Sequence, residues 1–169
     1  MFWQKLKAKL RQPFIPTWFA ASIFKIDYQA LKNSGLLFLL YDLDNTLVAR
    51  DDGQVSDELK VLFSQLKDDG FKIIIISNNW GHRVRSFGAN AGVPVFGRAA
   101  KPMGWVYKRA MAKMGARRGQ TVAIGDQIFT DVFGANRLGL KTILVNPVSQ
   151  VDLVHTKILR RLERLIIKR

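Results

Sequence analysis

From residue 36 to residue 147 the sequence alternates short apolar runs with segments whose apolar residues recur at helical spacing, and this alternation constrains the fold more than any other feature. Apolar runs buried on both faces belong to parallel sheets, and the amphipathic segments between them serve as crossover helices. Five strands are predicted: Leu36 to Tyr41, Phe71 to Ile76, Val93 to Phe96, Thr121 to Ile124 and Lys141 to Val145. Ser56 is a good N-cap, Asp57 and Glu58 suit a first turn, and Leu59, Leu62, Phe63 and Leu66 follow at helical spacing before Gly70. A second helix is predicted from near Pro102 through Val106, Tyr107, Ala110 and Met114 to Gly115. The expected fold is therefore α/β: a doubly wound, Rossmann-like parallel sheet of about five strands in three layers.

Length and charge set the boundaries. At 169 residues the chain is large enough for one domain with its own core. It has no cysteine, which excludes disulfides, thiolate nucleophiles and thiol metal sites. No apolar run approaches the roughly 20 residues of a membrane-spanning helix. The formal charge of +14 favours anionic partners such as nucleic acid, acidic lipid or phosphorylated substrates. Lys5, Lys7, Lys9 and Arg11 crowd the beginning, and Lys157, Arg160, Arg161, Arg164, Lys168 and Arg169 the end, both interleaved with apolar residues. The chain divides into a basic amphipathic segment, 1–35, expected to pack on the domain, a core, 36–147, and a basic C-terminal helix, 148–169. Phe2, Trp3, Leu6 and Leu10 form one side of a first helix broken at Pro13 and Pro16, and Trp18, Phe19, Ile23 and Phe24 are expected to cover an edge or face.

Each predicted strand end delivers a polar or reactive group. The first delivers Asp42 and Asp44, two crowded acids that call for a compensating charge, for which a hard dication is the usual solution. The second delivers Ser77, Asn78 and Asn79, suited to phosphate oxygens. Lys101 follows the third, and the turn Gly125-Asp126-Gln127 leading to Thr130-Asp131 follows the fourth. In a parallel sheet these groups converge on one edge, where open α/β folds bind ligands. Singly, Ser77 reads as a helix cap, Lys101 as a solvated charge and Asp126 as a cap of the following helix; together they read as a site. His82, His155, Trp80 and Trp105 are read as surface or packing residues.

The series Asp42-Leu43-Asp44-Asn45-Thr46, Ser77, Lys101-Pro102 and Gly125-Asp126 with Asp131 resembles the four ordered motifs of the haloacid dehalogenase (HAD) superfamily of phosphatases. Ser77-Asn78-Asn79, Lys101-Pro102-Met103-Gly104 and Gly125-Asp126-Gln127 look more narrowly like its subclass IIIA, the YqeG-like group related to phosphatidylglycerophosphate phosphatases. The resemblance implies that Asp42 attacks phosphorus to form an aspartyl-phosphate and that Asp44 shuttles the proton. It implies Mg²⁺ on the Asp42 carboxylate, the Asp44 carbonyl and Asp126, phosphate contacts from Ser77, the Asn78 N–H and Lys101, and support from Thr46. For Asp131 two roles stay open, acting through metal-bound water or pairing with Lys101.

Each interval from the Asp42 turn to Ser77 and from Ser77 to Lys101 is filled by about one βα unit, which leaves no room for a cap domain. An open site of this kind accepts a bulky phosphate or a headgroup projecting from a surface. An anionic lipid monoester such as phosphatidylglycerophosphate is the expected substrate, with the basic termini holding a cytoplasmic chain against the inner face of an anionic membrane. A nucleic-acid or small-metabolite phosphatase is the enzymatic alternative, and a receiver-like phospho-signalling or interaction domain the non-enzymatic one. The basic residues are interleaved with aliphatics, not with the stacking aromatics of single-strand readers, which counts against nucleic acid. Oligomeric state is not legible.

Overall fold

The structure, a computed structural model, describes residues 12–149. The basic runs before residue 12 and after 149, and His155, lie outside the described residues. Six strands, β1 Trp18–Ala20, β2 Phe38–Asp42, β3 Lys72–Ile76, β4 Val95–Phe96, β5 Thr121–Gly125 and β6 Lys141–Val145, form one parallel sheet in the order β1-β6-β5-β2-β3-β4. Five of them fall where the apolar runs placed strands. Leu40 aligns with Ile74 of β3 on one side and with Ala123 of β5 on the other, so β2 is a central strand without free edges.

The pleat sends successive side chains to opposite faces. Leu39 and Tyr41 join Ile73, Ile75, Val122 and Ile124 in one core; Leu40 joins Ile74, Ile76 and Ala123 in the other. Helices α2 (Asp57–Asp68) and α3 (His82–Asn90) cover the first face through Leu59, Phe63, Leu66, Val84 and Phe87, and α1 (Tyr28–Asn33) adds Leu31. Helices α4 (Gly104–Met114) and α5 (Phe133–Asn136) cover the second with Val106, Tyr107, Ala110, Met111 and Ala135. Three layers result.

The caps behave as their chemistry dictates. Ser56 Oγ accepts from the Leu59 N–H at the start of α2, and Gly70, beyond its end, has φ +89°. Helix α4 begins two residues after Pro102 and closes on Gly115 in the left-handed conformation.

The strand absent from the sequence reading is β1, three residues paired with the outer edge of β6. Thr17 and Thr142 exchange backbone-to-hydroxyl hydrogen bonds of 3.1 Å each way, and Asn136 Nδ2 donates to the carbonyls of Pro13 and Ile15. Phe14 stacks on Phe133 with ring centroids 4.5 Å apart and meets Phe129 edge-on at 5.4 Å. Residues 12–20 thus strap the far edge of the sheet rather than merely lying over it.

Chain order runs outward from β2 to β3 and β4, then returns to the other side of β2 for β5 and β6. This reversal opens a crevice at the carboxyl ends of β2 and β5, where ligands bind in open α/β sheets. Among the described residues no helix is long and apolar enough to cross a membrane.

Helix α3 approaches β4 so closely that a Cβ at Gly88 would overlap Val95 Cγ2 and stand 3.0 Å from the Val93 carbonyl oxygen. Neither neighbour is the far end of a flexible side chain. Gly88→Ala is expected to lower stability by about 1–3 kcal/mol, read as a lower urea midpoint with an unchanged slope.

Candidate active site

All the carboxyl-end groups arrive on one edge, each carried by a different strand. Asp42 is the last residue of β2, Ser77 follows β3, Lys101 follows β4 and Asp126 follows β5. Asp42, Asp44, Thr46, Ser77, Lys101, Asp126 and Asp131 are all buried, a concentration of polar burial that a structural turn does not require.

Two subsites divide the two leading acids. In the first, the Lys101 ammonium donates 2.6 Å hydrogen bonds to Asp42 Oδ1 and to Asp131 Oδ1. The loop holds Lys101 in place through Asn78, whose Oδ1 accepts from the Lys101 N–H at 2.7 Å and whose Nδ2 donates to the Lys101 carbonyl at 3.1 Å. In the second, Asp44 turns the other way: Oδ2 accepts from Ser77 Oγ at 3.2 Å and Asn79 Nδ2 at 2.9 Å, while Oδ1 pairs with the Arg83 guanidinium. Arg83 in turn donates to the Asp52 carbonyl at 2.8 Å.

The connecting loop is shaped for this division. Asn45 adopts φ +64°, a conformation that asparagine tolerates better than most residues. Its N–H donates to the Val48 carbonyl at 2.7 Å, and its own carbonyl accepts from the Val148 N–H at 2.8 Å. Thr46 Oγ1 donates to Asp126 Oδ1 at 3.3 Å, tying the β2 loop to the β5 turn. The turn after β5 is a π-helical turn, Ile128–Val132, instead of a helix capped by Asp126. It brings Asp131 back over Gly125, where any Cβ would overlap the Asp131 carboxyl group, so glycine is needed there for close approach. Asp131 Oδ2 accepts from the Gln127 N–H at 3.2 Å and from Thr130 Oγ1 at 3.3 Å.

Electrostatics follow from burial and crowding. Burial pushes the Asp42 carboxyl up to about 8; Lys101 opposes that shift, and Asp131 and Asp126 add to it. Burial acts against the Lys101 ammonium, but Asp131 and Asp42 more than offset it and hold its pKa above the ordinary lysine value. One carboxylate oxygen from each of Asp42, Asp126 and Asp131 lies within 4.8 Å of the others. Three buried hard oxygen donors, with Asp42 resisting ionisation in their company, fit a hard dication such as Mg²⁺. A separate cleft of about 440 Å³ lined by Gly53, Gln54, Val55, Lys60 and Asn90 contains none of these acids.

Of the residues expected at the site, Asp131 is found pairing with Lys101, one of its two alternatives, and also beside Asp42 and Asp126. Ser77 contacts Asp44 and accepts from the Asn79 N–H at 3.1 Å. Asn79 itself, grouped with Ser77 and Asn78 as suited to phosphate oxygens, donates to Asp44. Arg83 escaped the sequence reading; the signal that locates it is a cation in the first turn of the helix following Ser77-Asn78-Asn79. His82, one residue before it, is exposed, and its ring hydrogen-bonds Ser86 Oγ.

Comparison with known proteins agrees with this geometry. The HAD-hydrolase-like family model matches residues 98–148, which hold Lys101, Asp126 and Asp131. The chain is 40% identical over 158 residues to the probable phosphatase YqeG of Bacillus subtilis, covering 94% of this chain and 92% of that one. It is 26% identical over 171 residues to phosphatidylglycerophosphate phosphatase 1, chloroplastic/mitochondrial, of Arabidopsis thaliana, covering 95% of this chain but only 49% of that protein's length. Among solved structures, the deoxy-D-mannose-octulosonate 8-phosphate phosphatase of Haemophilus influenzae shares the fold, with a TM-score of 0.56 and 16% identity over 81% of this chain and 90% of that one. The match to the Bacillus protein runs through all four strand ends, and on that ground the chain belongs to the YqeG-like phosphatases of the HAD superfamily.

Proposed function

We propose that this phosphatase is a Mg²⁺-dependent phosphomonoesterase that works through an aspartyl-phosphate on Asp42 and acts on an anionic lipid phosphate, phosphatidylglycerophosphate or a close analogue. The observation that carries the mechanism is the separation of the two acids: Asp42 sits against Lys101, while Asp44 is held by Ser77, Asn79 and Arg83. A nucleophile and a proton carrier need such different surroundings.

Asp42 and Asp126, with the Asp44 main-chain carbonyl, are the proposed metal ligands, and Asp131 closes the same acidic group. A bound dication supplies the charge that lets an anionic carboxylate approach an anionic phosphate. An Asp42 oxygen forms a bond to phosphorus as the bond to the leaving alkoxide breaks, and Lys101 faces the charge that develops. Asp44 gives its proton to that alkoxide and then takes one from the water that cleaves the acyl phosphate, returning Asp42 as a carboxylate. Ser77 and the Asn78 N–H receive phosphoryl oxygens. Arg83 pairs with the Asp44 carboxylate, and an arriving phosphate offers the same guanidinium a second anionic partner.

The lipid assignment draws support from the relatives named as phosphatidylglycerophosphate phosphatases and from the single βα unit in each of the two intervals flanking Ser77, which leaves the strand edge open. The chain spans about half the length of the Arabidopsis relative, so that relative's activity reaches this chain only as part of the proposal.

Asp42→Asn is expected to lower phosphate release at least about 10³-fold with the folded spectrum unchanged, and chelation of Mg²⁺ to abolish wild-type turnover. A phosphate-release screen over lipid, sugar, nucleotide and phosphoprotein monoesters is expected to favour the lipid in detergent micelles; preference for a nucleotide or sugar phosphate replaces the lipid assignment. Metal-dependent turnover by Asp42→Asn removes that residue as nucleophile. Arg83→Ala is expected to lower kcat/KM by about ten- to a hundredfold, with Arg83→Lys recovering part of the loss. Unchanged kinetics in both variants would dismiss Arg83 from the cycle.

A further inference from the structure

The half of the sheet that carries Ser77 and Lys101 has an unusual charge distribution. Between Asp69 and Asp126 the sequence contains no acidic residue over 56 positions and ten Lys or Arg. That stretch runs from β3 through α3, β4 and α4 to β5 and carries only positive charge. The same stretch exposes three large apolar side chains at the catalytic edge: Trp80 is 64% exposed, Met103 56% and Trp105 50%. None lies far from the chemistry along the chain. Trp80 directly follows Asn79, which bonds Asp44; Met103 is two residues past Lys101; and Trp105 sits in the first turn of α4.

Backbone contacts bind these pieces into one rim. Arg98 N–H donates to the Asn79 carbonyl at 3.1 Å, Ala99 N–H to the Ser77 carbonyl at 3.0 Å and Met103 N–H to the Ala100 carbonyl at 2.9 Å. The exposed Arg98 guanidinium lies 3.7 Å from the centre of the Trp80 ring, pairing a cation with an aromatic at the surface. Arg85, Lys108 and Arg109 are exposed on the adjoining helices. Asp51 and Asp52 are also exposed, and the Asp52 carbonyl accepts from Arg83.

We propose that this rim docks on an anionic bilayer, with Trp80, Met103 and Trp105 entering the headgroup boundary and the surrounding cations meeting lipid phosphates. Tryptophan is suited to that boundary because its ring is apolar while its N–H stays hydrated, and basic residues beside it add attraction to acidic lipid. The placement presents the crevice at the carboxyl ends of the strands to the membrane plane, so a phosphomonoester headgroup enters without leaving its leaflet. The proposal rests on the lipid-phosphate reading and adds the face by which the enzyme reaches that substrate. Single-stranded nucleic acid also stacks on tryptophan, but one Trp80 face is already taken by Arg98, and Met103 offers no stacking surface.

The test uses the full chain carrying Trp3→Phe and Trp18→Phe, so that Trp80 and Trp105 are the only tryptophans. Vesicles of phosphatidylglycerol with brominated acyl chains are expected to quench its emission, and phosphatidylcholine vesicles to leave it unchanged. In the wild-type background, Trp80→Ala/Met103→Ala/Trp105→Ala is expected to lower partitioning onto phosphatidylglycerol vesicles about tenfold. Its hydrolysis of soluble p-nitrophenyl phosphate should stay within about twofold of wild type. Unquenched tryptophans, equal partitioning of the triple variant, or tighter binding of the rim to oligo(dT) than to vesicles overturns the docking face. Hydrolysis of the lipid monoester in detergent micelles reports on the substrate alone. Intact micellar turnover beside unquenched tryptophans therefore sinks the docking face and leaves the lipid-phosphate reading standing.

Discussion

The Lys101 ammonium between Asp42 and Asp131 is the contact on which the rest of the site depends. Only 7% exposed, it has given up most of its hydration, a cost that an isolated buried charge does not recover. Two 2.6 Å charge-assisted hydrogen bonds offset that cost, and they come from opposite sides of the crevice: the end of β2 and the turn beyond β5. Asn78 adds a third side by gripping the Lys101 backbone from the end of β3. Three strand ends are thereby referred to one cation, and the positions of Asp42 and Asp131 relative to the sheet follow from it.

Asp44 shows what lies beyond the reach of that cation. Only Leu43 separates it from Asp42, yet its carboxylate belongs to a different network. The Asn45 conformation and the Thr46 tie to Asp126 turn the chain after β2, so neighbouring acids that would repel in one pocket occupy two. Proximity in sequence and separation in environment thus give one residue type the two different surroundings that the proposed nucleophile and proton carrier require.

The strands from β2 to β6 were legible because strands buried on both faces leave apolar runs that chance seldom imitates, and the groups past their ends were legible because a parallel sheet collects them. The elements missed were those whose signal is not periodic. Strand β1 is three residues long with two exposed aromatics, and what makes it a strand is its pairing with the distant residues 143–145 of β6. The π-helical turn at 128–132 has no local signature; it exists because Asp131 must return over Gly125 to reach Lys101. Arg83 resembles any basic residue in an exposed first turn until the fold sets it against Asp44. Contacts made across tertiary structure cannot be read from spacing, even where the residues on both sides are plain.

The strap formed by residues 12–20 has a consequence for the order in which the molecule is completed. Phe14 packs on Phe129, inside the turn that carries Asp131, and on Phe133, just past it, and the Pro13 carbonyl accepts a hydrogen bond from a side chain 123 positions further along. During synthesis Pro13 and Phe14 have no partner until the acidic turn and the helix after it have emerged, and β1 has none until β6 follows. The acidic turn therefore gains its outer wall last, when the two extremes of the described chain meet. The brace on Asp131, and with it the cage around Lys101, thus draws on residues 123 positions apart in the sequence.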